Sequence, residues 1–118
     1  MHEMGIVINT VESAEKLVRQ YDIKKLGSIT MNIGELTGVM PKYVQELWEL
    51  GTQGTICEGT TLIINETPGM GKCRACKKDY RLMQHYDGKI VECPYCGSGS
   101  FDVLSGKELM ITQLGIQD

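Results

Sequence analysis

Long apolar segments are missing from this sequence of 118 residues, in which charged residues make up 23% of the chain. No stretch approaches the roughly 20 consecutive apolar residues that a membrane-spanning helix needs. Glu3, Glu12 and Glu15 also interrupt the apolar region that a secretory signal would require near the amino terminus. These absences argue against an integral membrane protein, and we expect the protein to work in the cytoplasm.

An excess of positive charge is also missing, since the formal net charge is −3 at pH 7. A chain of this charge has no general attraction for nucleic acid or for an anionic membrane. The sequence shows no nucleophile beside a base, no pair of catalytic carboxylates and no phosphate-binding glycine loop, and the segment "GMGKC" lacks the P-loop spacing. We therefore expect a protein that is not an enzyme and that binds neither nucleic acid nor membranes.

Apolar residues recur at helical and strand spacings along the chain. The spacing of three and four residues from Met4 to Tyr21 predicts an amphipathic first helix. Alternation in "LGSITMNIG" predicts a strand, and Pro41 suits the first turn of a second, shorter helix. The segments "TTLIINET" and "KELMITQLGI" predict two further strands. We expect an α+β fold with two helices packed on a small three-stranded mixed sheet, provided that the last strand joins the first two.

The composition changes between the last two of these strands. Residues 69–106 hold four of the five cysteines and show little apolar periodicity. We interpret this segment as a zinc-ribbon-like module with four cysteines, inserted into an α/β domain that comprises residues 1–68 and 107–118. A metal would replace the hydrophobic core that so short a segment cannot build.

Two Cys-x2-Cys motifs supply the cysteines of this module, Cys73 with Cys76 in "CRAC" and Cys93 with Cys96 in "CPYC". Two intervening residues let both sulfurs of a motif reach one ion at about 2.3 Å, and two motifs complete a tetrahedron. Four thiolates leave no open position for water or substrate, which predicts a structural zinc. Iron, alone or in an iron–sulfur cluster, is the alternative for the same ligands.

Zinc ribbons also occur in adaptor and nucleic-acid-binding proteins, and this alternative depends on charge. Residues 69–106 contain six basic and four acidic residues. One Zn²⁺ with four thiolates adds a charge of about −2. The module is therefore close to neutral, whereas a phosphate-binding surface has a basic excess.

Two further side chains have metal-binding potential outside these motifs. We expect Cys57 to be a small buried side chain rather than a reactive thiol. We expect His85, at the tip of a predicted hairpin in "LMQHYDG", to be solvated or hydrogen-bonded, with a ligand role as the alternative.

The amino terminus places one of only two histidines at the second position. The α-amine of Met1, the backbone nitrogen of His2 and its imidazole could close fused chelate rings around one ion, with Glu3 as a fourth ligand. Nitrogen ligands in one plane suit Ni(II) or Cu(II) better than tetrahedral zinc. The alternative is an exposed histidine in the first turn of a helix, where Glu3 favours the helix dipole.

Together these motifs resemble the HypA/HybF family of hydrogenase maturation nickel metallochaperones. The resemblance rests on "MHE", "IGELTGV", "CRAC", "CPYCGS" and "GKELMI", in that order over essentially the whole chain. It implies nickel binding at Met1, His2 and Glu3 and zinc binding at the four cysteines of the two motifs. It also implies delivery of nickel toward the large subunit of [NiFe]-hydrogenase with the GTPase HypB and, in some members, service to urease maturation proteins.

One position departs from the pattern of this family. Relatives commonly carry an acidic residue before the proline that follows "GEL", whereas this chain has Met40 there. A carboxylate at that position therefore cannot help to hold nickel or a partner in this protein.

Overall fold

A computed structural model of the chain describes residues 3–83 and 89–117. Two α-helices, α1 (Glu3–Gln20) and α2 (Pro41–Thr52), are accompanied by a 3-10 turn over Glu35–Thr37. The strands are β1 (Leu26–Gly34), β2 (Thr61–Thr67), β3 (Met70–Cys73), β4 (Asp79–Arg81), β5 (Phe101–Ser105) and β6 (Leu109–Ile116). In this part of the chain, neither helix combines the length and apolar content that a membrane crossing requires.

The first sheet is mixed and has the strand order β2-β1-β6. Its central strand, β1, runs parallel to β2 and antiparallel to β6. Ile29, Met31 and Ile33 alternate along β1, so they share one face of the sheet. They are buried in one core cluster with Val7 of α1 and Val44 of α2. The predicted α+β fold, with two helices on a three-stranded mixed sheet, is confirmed, and the last strand does join the first two.

Two local features hold the helices close to each other and to the sheet. A Cβ atom on Gly51 of α2 would lie 2.5 Å from Val7 Cγ1 and 3.1 Å from Met4 Sδ of α1, so only glycine permits this approach. The indole Nε1 of Trp48 donates a hydrogen bond to the carbonyl oxygen of Thr60 at 2.7 Å. This bond ties α2 to the segment that leads into β2.

The second sheet is antiparallel, with the order β4-β3-β5. Its core is a separate cluster of four buried residues, Cys73, Tyr80, Leu82 and Cys93. Half of these buried side chains are cysteines, which agrees with the expected zinc-ribbon-like module whose interior depends on a metal.

The chain passes from one sheet to the other at two points that lie side by side. A Cβ on Gly106 would lie 2.5 Å from Gly69 Cα, and a Cβ on Gly34 would lie 2.1 Å from the carbonyl oxygen of Gly106. The hydroxyl of Ser105 donates a hydrogen bond to the carbonyl oxygen of Pro68 at 2.8 Å. Glycine is required here because the backbones cross without room for side chains.

Candidate metal centre

The four cysteines of the two motifs converge at one point. The Sγ atoms of Cys73, Cys76, Cys93 and Cys96 all lie within 4.8 Å of one another. The Sγ atoms of Cys73 and Cys96 are 3.5 Å apart, and those of Cys76 and Cys93 are 3.6 Å apart. Sulfurs around a tetrahedral zinc at about 2.3 Å would be about 3.8 Å apart. This donor set therefore fits a structural zinc, and all the cysteines are free of disulfides.

Both motifs fold into the same turn. The N–H of Lys77 donates to the carbonyl oxygen of Cys73 at 2.9 Å, and the N–H of Gly97 donates to that of Cys93 at 2.8 Å. Lys77 and Gly97 have φ angles of 66° and 79°, in the left-handed region. A left-handed residue directly after the second cysteine reverses the chain, so both sulfurs of a motif point to the same side.

A backbone N–H group favours the thiolate form of one of the four sulfurs. The N–H of Cys76 donates to Cys73 Sγ at 3.5 Å, and this bond is the main cause that lowers the pKa of Cys73 to about 6. The N–H of Ser98 acts to lower the pKa of Cys96, but the contact with Cys73 and burial outweigh it and raise that pKa to about 11. The lowered pKa favours the thiolate form of Cys73, and the thiolate is the form that binds metal.

Tyr80 packs against the sulfur cluster and is 3% exposed. Its ring meets that of Phe101 edge to face, with centroids 6.5 Å apart. Burial, followed by the charge of the Cys93 thiolate, raises the pKa of Tyr80, so the phenol stays protonated. Its hydroxyl has no hydrogen-bond partner among the residues that the structure describes.

Glu35 is a buried carboxylate that the sequence analysis did not single out. Its side chain is 2% exposed, and its oxygens accept hydrogen bonds from the N–H of Gly69 at 3.1 Å and from the guanidinium of Arg81. Arg81 holds the pKa of Glu35 below its usual range, although burial acts in the opposite direction. Since Glu35 follows β1 and Arg81 ends β4, the ion pair joins the two sheets. The sequence does offer one sign of this buried ion pair, since "IGELTGV" places the acidic Glu35 directly after a strand predicted to be buried.

The predicted nickel ligands lie at the boundary of the described residues. Glu3 is the first residue of α1, where its carboxylate suits the positive end of the helix dipole. Met1 and His2 lie outside the described residues, as does His85. Nickel binding at Met1, His2 and Glu3 therefore stays a prediction. Met40 occupies the N-cap position of α2 and makes no capping bond through its side chain.

Cys57 lies apart from the sulfur cluster. It is fully buried in the core that the helices form with the first sheet. Burial, followed by the charge of Glu15, raises the pKa of the Cys57 thiol to about 11. The prediction of a small buried side chain is confirmed, and its lack of reactivity stays a prediction.

Comparison with known families gives a match over residues 1–116 to the family described as "Hydrogenase/urease nickel incorporation, metallochaperone, hypA". The chain belongs to the HypA family. A "Hydrogenase maturation factor HypA" from Geobacter metallireducens is 34% identical over 117 residues, which is 99% of this chain and 100% of that protein. Another HypA, from Trichodesmium erythraeum, is 36% identical over 118 residues, covering 100% of this chain and 97% of the relative.

Solved structures with the HypA name share the fold. The solution structure of the Ni metallochaperone HypA from Helicobacter pylori superposes with a TM-score of 0.66 at 19% sequence identity, over 98% of this chain and 97% of that one. A second solution structure of a HypA protein also gives 0.66 at 19% identity, over 99% and 97% of the two chains. These likenesses support the fold described above, with its two helices and two small sheets.

Proposed function

We propose that this chain is a nickel carrier rather than an enzyme, which binds Ni(II) reversibly and delivers it for assembly of the [NiFe]-hydrogenase metallocentre. The family match over residues 1–116 carries this proposal, because its description names nickel incorporation and a metallochaperone. The curated relatives bear the name hydrogenase maturation factor. In this proposal the carrier works in the cytoplasm, and its partners are the GTPase HypB, the hydrogenase large subunit and, since the family description includes urease, urease maturation proteins.

Zinc is the resident metal in this proposal, with Cys73, Cys76, Cys93 and Cys96 as its ligands. The convergence of the four sulfurs within 4.8 Å supports this assignment, and a closed set of four thiolates suits a structural rather than a catalytic ion. Residues 69–106 form the zinc domain, while residues 1–68 and 107–118 form the nickel-binding domain. The separate sheet of β3, β4 and β5 supports this division.

Charge pairing on the zinc module favours this function over the nucleic-acid-binding alternative. Arg74 Nη2 lies 2.8 Å from Asp102 Oδ1, and Lys72 Nζ lies 3.5 Å from Asp79 Oδ1. Basic side chains that already face carboxylates contribute less to a phosphate-binding surface. Because all four side chains are exposed, the pairs contribute little to stability.

The nickel site consists of the Met1 amine, the backbone nitrogen and imidazole of His2, and Glu3. The test is a calorimetric titration of tag-free, zinc-loaded protein with Ni²⁺. We expect about one Ni²⁺ per chain for the wild type, and loss of binding both in His2→Ala and in a variant with one extra residue before Met1. His85→Ala tests the alternative that His85 is a ligand, and we expect it to keep wild-type affinity. Equal binding by all four proteins would place nickel elsewhere.

The pH dependence of this titration tests the imidazole directly. A histidine must lose its proton to bind a metal, so the affinity for nickel should fall as the pH drops below about 6.5. An affinity that stays constant well below that pH would exclude His2 as a ligand.

A further inference from the structure

Two consecutive residues of the 3-10 turn that follows β1 contact the second sheet in different ways. The carboxylate of Glu35 accepts hydrogen bonds from the guanidinium of Arg81 on both of its oxygens. Leu36 packs against the buried cluster that contains Tyr80. The turn continues directly from β1, the central strand of the first sheet. It therefore adds side-chain contacts between the sheets to the two points at which the chain crosses.

These two contacts involve opposite faces of β4, an edge strand of the second sheet. Successive side chains of a strand point to opposite faces. The burial pattern of β4 follows this rule, with Tyr80 buried between the exposed Asp79 and Arg81. Leu36 therefore lies on the inner face with the buried cluster, whereas Glu35 binds a side chain that leaves β4 on its outer face and is 52% exposed.

The turn itself is held in place at the crossings between the sheets. The N–H of Leu36 donates to the carbonyl oxygen of Gly106 at 2.8 Å, and the N–H of Gly69 donates to Glu35 Oε1 at 3.1 Å. A Cβ on Gly69 would lie 2.7 Å from Leu36 Cδ2, so the leucine lies directly against the backbone there. The turn cannot shift relative to the crossings without breaking these contacts.

We propose that Glu35 and Leu36 form a clamp on β4 that fixes the orientation of the second sheet relative to the first. The crossings connect the sheets at two neighbouring points, and two points still allow rotation about the line that joins them. The clamp opposes this rotation in both directions, because its two residues contact opposite faces of the same strand. Since the second sheet carries the four-cysteine site, the clamp also fixes the orientation of that site.

The clamp lies at the end of the first sheet where α1 begins. Ile33 of β1 pairs with Leu109 of β6, and Leu109 lines one cavity with Ile6 of α1. Glu35 follows Ile33 by only two residues. A protein that binds at this end would meet both sheets in one fixed arrangement, which reduces the conformational entropy lost on binding.

Residual dipolar couplings of the backbone amides test the clamp, because they average over the microsecond-to-millisecond range in which domains move. The alignment is fitted separately to the first sheet with its helices and to the second sheet. In the zinc-loaded wild type, both parts should share one alignment. In Leu36→Ala and in Arg81→Met, the second sheet should lose about a third of its alignment, the loss that a wobble of about 40° produces.

Arg74→Met is the matched control. Its ion pair with Asp102, at 2.8 Å, lies within the four-cysteine module and does not join the two sheets. Arg74→Met should therefore keep one alignment for both parts. A loss of alignment in this variant equal to that in Arg81→Met would overturn the proposal, because any weakened ion pair of the module would then have the same effect.

Two other results would also refute the clamp. One is a wild type whose two parts have different alignments. The other is a single alignment in both Leu36→Ala and Arg81→Met, even if these variants are less stable, because lower stability alone does not change the alignment of the folded protein. Should they not fold, Leu36→Val and Arg81→Lys make the same comparison, in which a partial loss supports the clamp and an unchanged alignment refutes it. None of these results bears on nickel binding, which the calorimetric titration tests separately.

Discussion

Replacing Arg81 by methionine should destabilise the protein more than replacing its partner Glu35 by glutamine. Arg81→Met leaves a carboxylate whose side chain is 2% exposed without its guanidinium partner. Removing one member of a buried ion pair costs about 3–5 kcal/mol. Because the side chain of Arg81 is 52% exposed, water screens the pair, and we expect a loss of about 2 kcal/mol in the free energy of unfolding.

Glu35→Gln removes the other charge with a smaller effect. The guanidinium of Arg81 is half-exposed and can be hydrated, and the glutamine amide oxygen can still accept the N–H of Gly69. We expect a loss of about 1 kcal/mol or less. The ranking of the two variants thus depends on which of the two charges is buried.

The pH dependence gives the same reasoning a second test. The pKa of Glu35 is lowered from 4.5 in the folded protein, so the ion pair stabilises the fold above that pH and loses this effect as the pH falls through the lowered pKa. Without Arg81, burial outweighs the bond from Gly69 and raises the pKa of Glu35 above 4.5. In Arg81→Met, Glu35 therefore takes up a proton at a higher pH than in the wild type. Protonation removes the unpaired buried charge that destabilises the variant. The deficit of Arg81→Met should shrink as the pH falls.

Urea unfolding of the zinc-loaded proteins measures both effects, followed by circular dichroism and by the fluorescence of the single tryptophan, Trp48. Measurements at a series of pH values from about 7.5 downward, with the zinc content verified at each, follow the change of the deficit. Equal losses for Arg81→Met and Glu35→Gln, or a deficit of Arg81→Met that does not change with pH, would refute the reasoning.

Two other sites give independent predictions. Gly51→Ala should cost about 1–3 kcal/mol in urea unfolding, because its Cβ would lie 2.5 Å from Val7 Cγ1. Gly99→Ala is the control, since a Cβ there meets nothing within 4 Å, and equal stability of the two variants would contradict the close helix packing. Cys57 should resist iodoacetamide at about pH 8 in the folded protein, because it is fully buried and its pKa is raised to about 11. Mass spectrometry should find it modified only after denaturation, and labelling of the native protein would show that the core opens.

Elements with clear periodicity were predictable from the sequence. The alternation of Ile29, Met31 and Ile33 located β1 because one face of that strand is buried. The spacing of the cysteine motifs identified the four sulfurs that converge, because Cys-x2-Cys fixes local geometry. The bounds of strands β3, β4 and β5 were not predicted, since these strands have only four, three and five residues and offer too few alternations.

Buried polar side chains were not predictable in the same way. Glu35 and Arg81 are 46 residues apart in sequence, and their pairing depends on how two sheets meet. The burial of Tyr80 likewise depends on its packing with Cys73 and Cys93, which come from different parts of the chain. Neither feature has a local pattern, because each is created by packing between distant segments.

Because the chain crosses between the sheets at two neighbouring points, the segment between these points forms a unit that could be removed or replaced. Pro68 and Ser105 are joined by a hydrogen bond of 2.8 Å, so the chain leaves the first sheet and returns to it at nearly the same place. Removing residues 70–104 would leave two ends that a tight turn could bridge, with the strand order β2-β1-β6 unchanged.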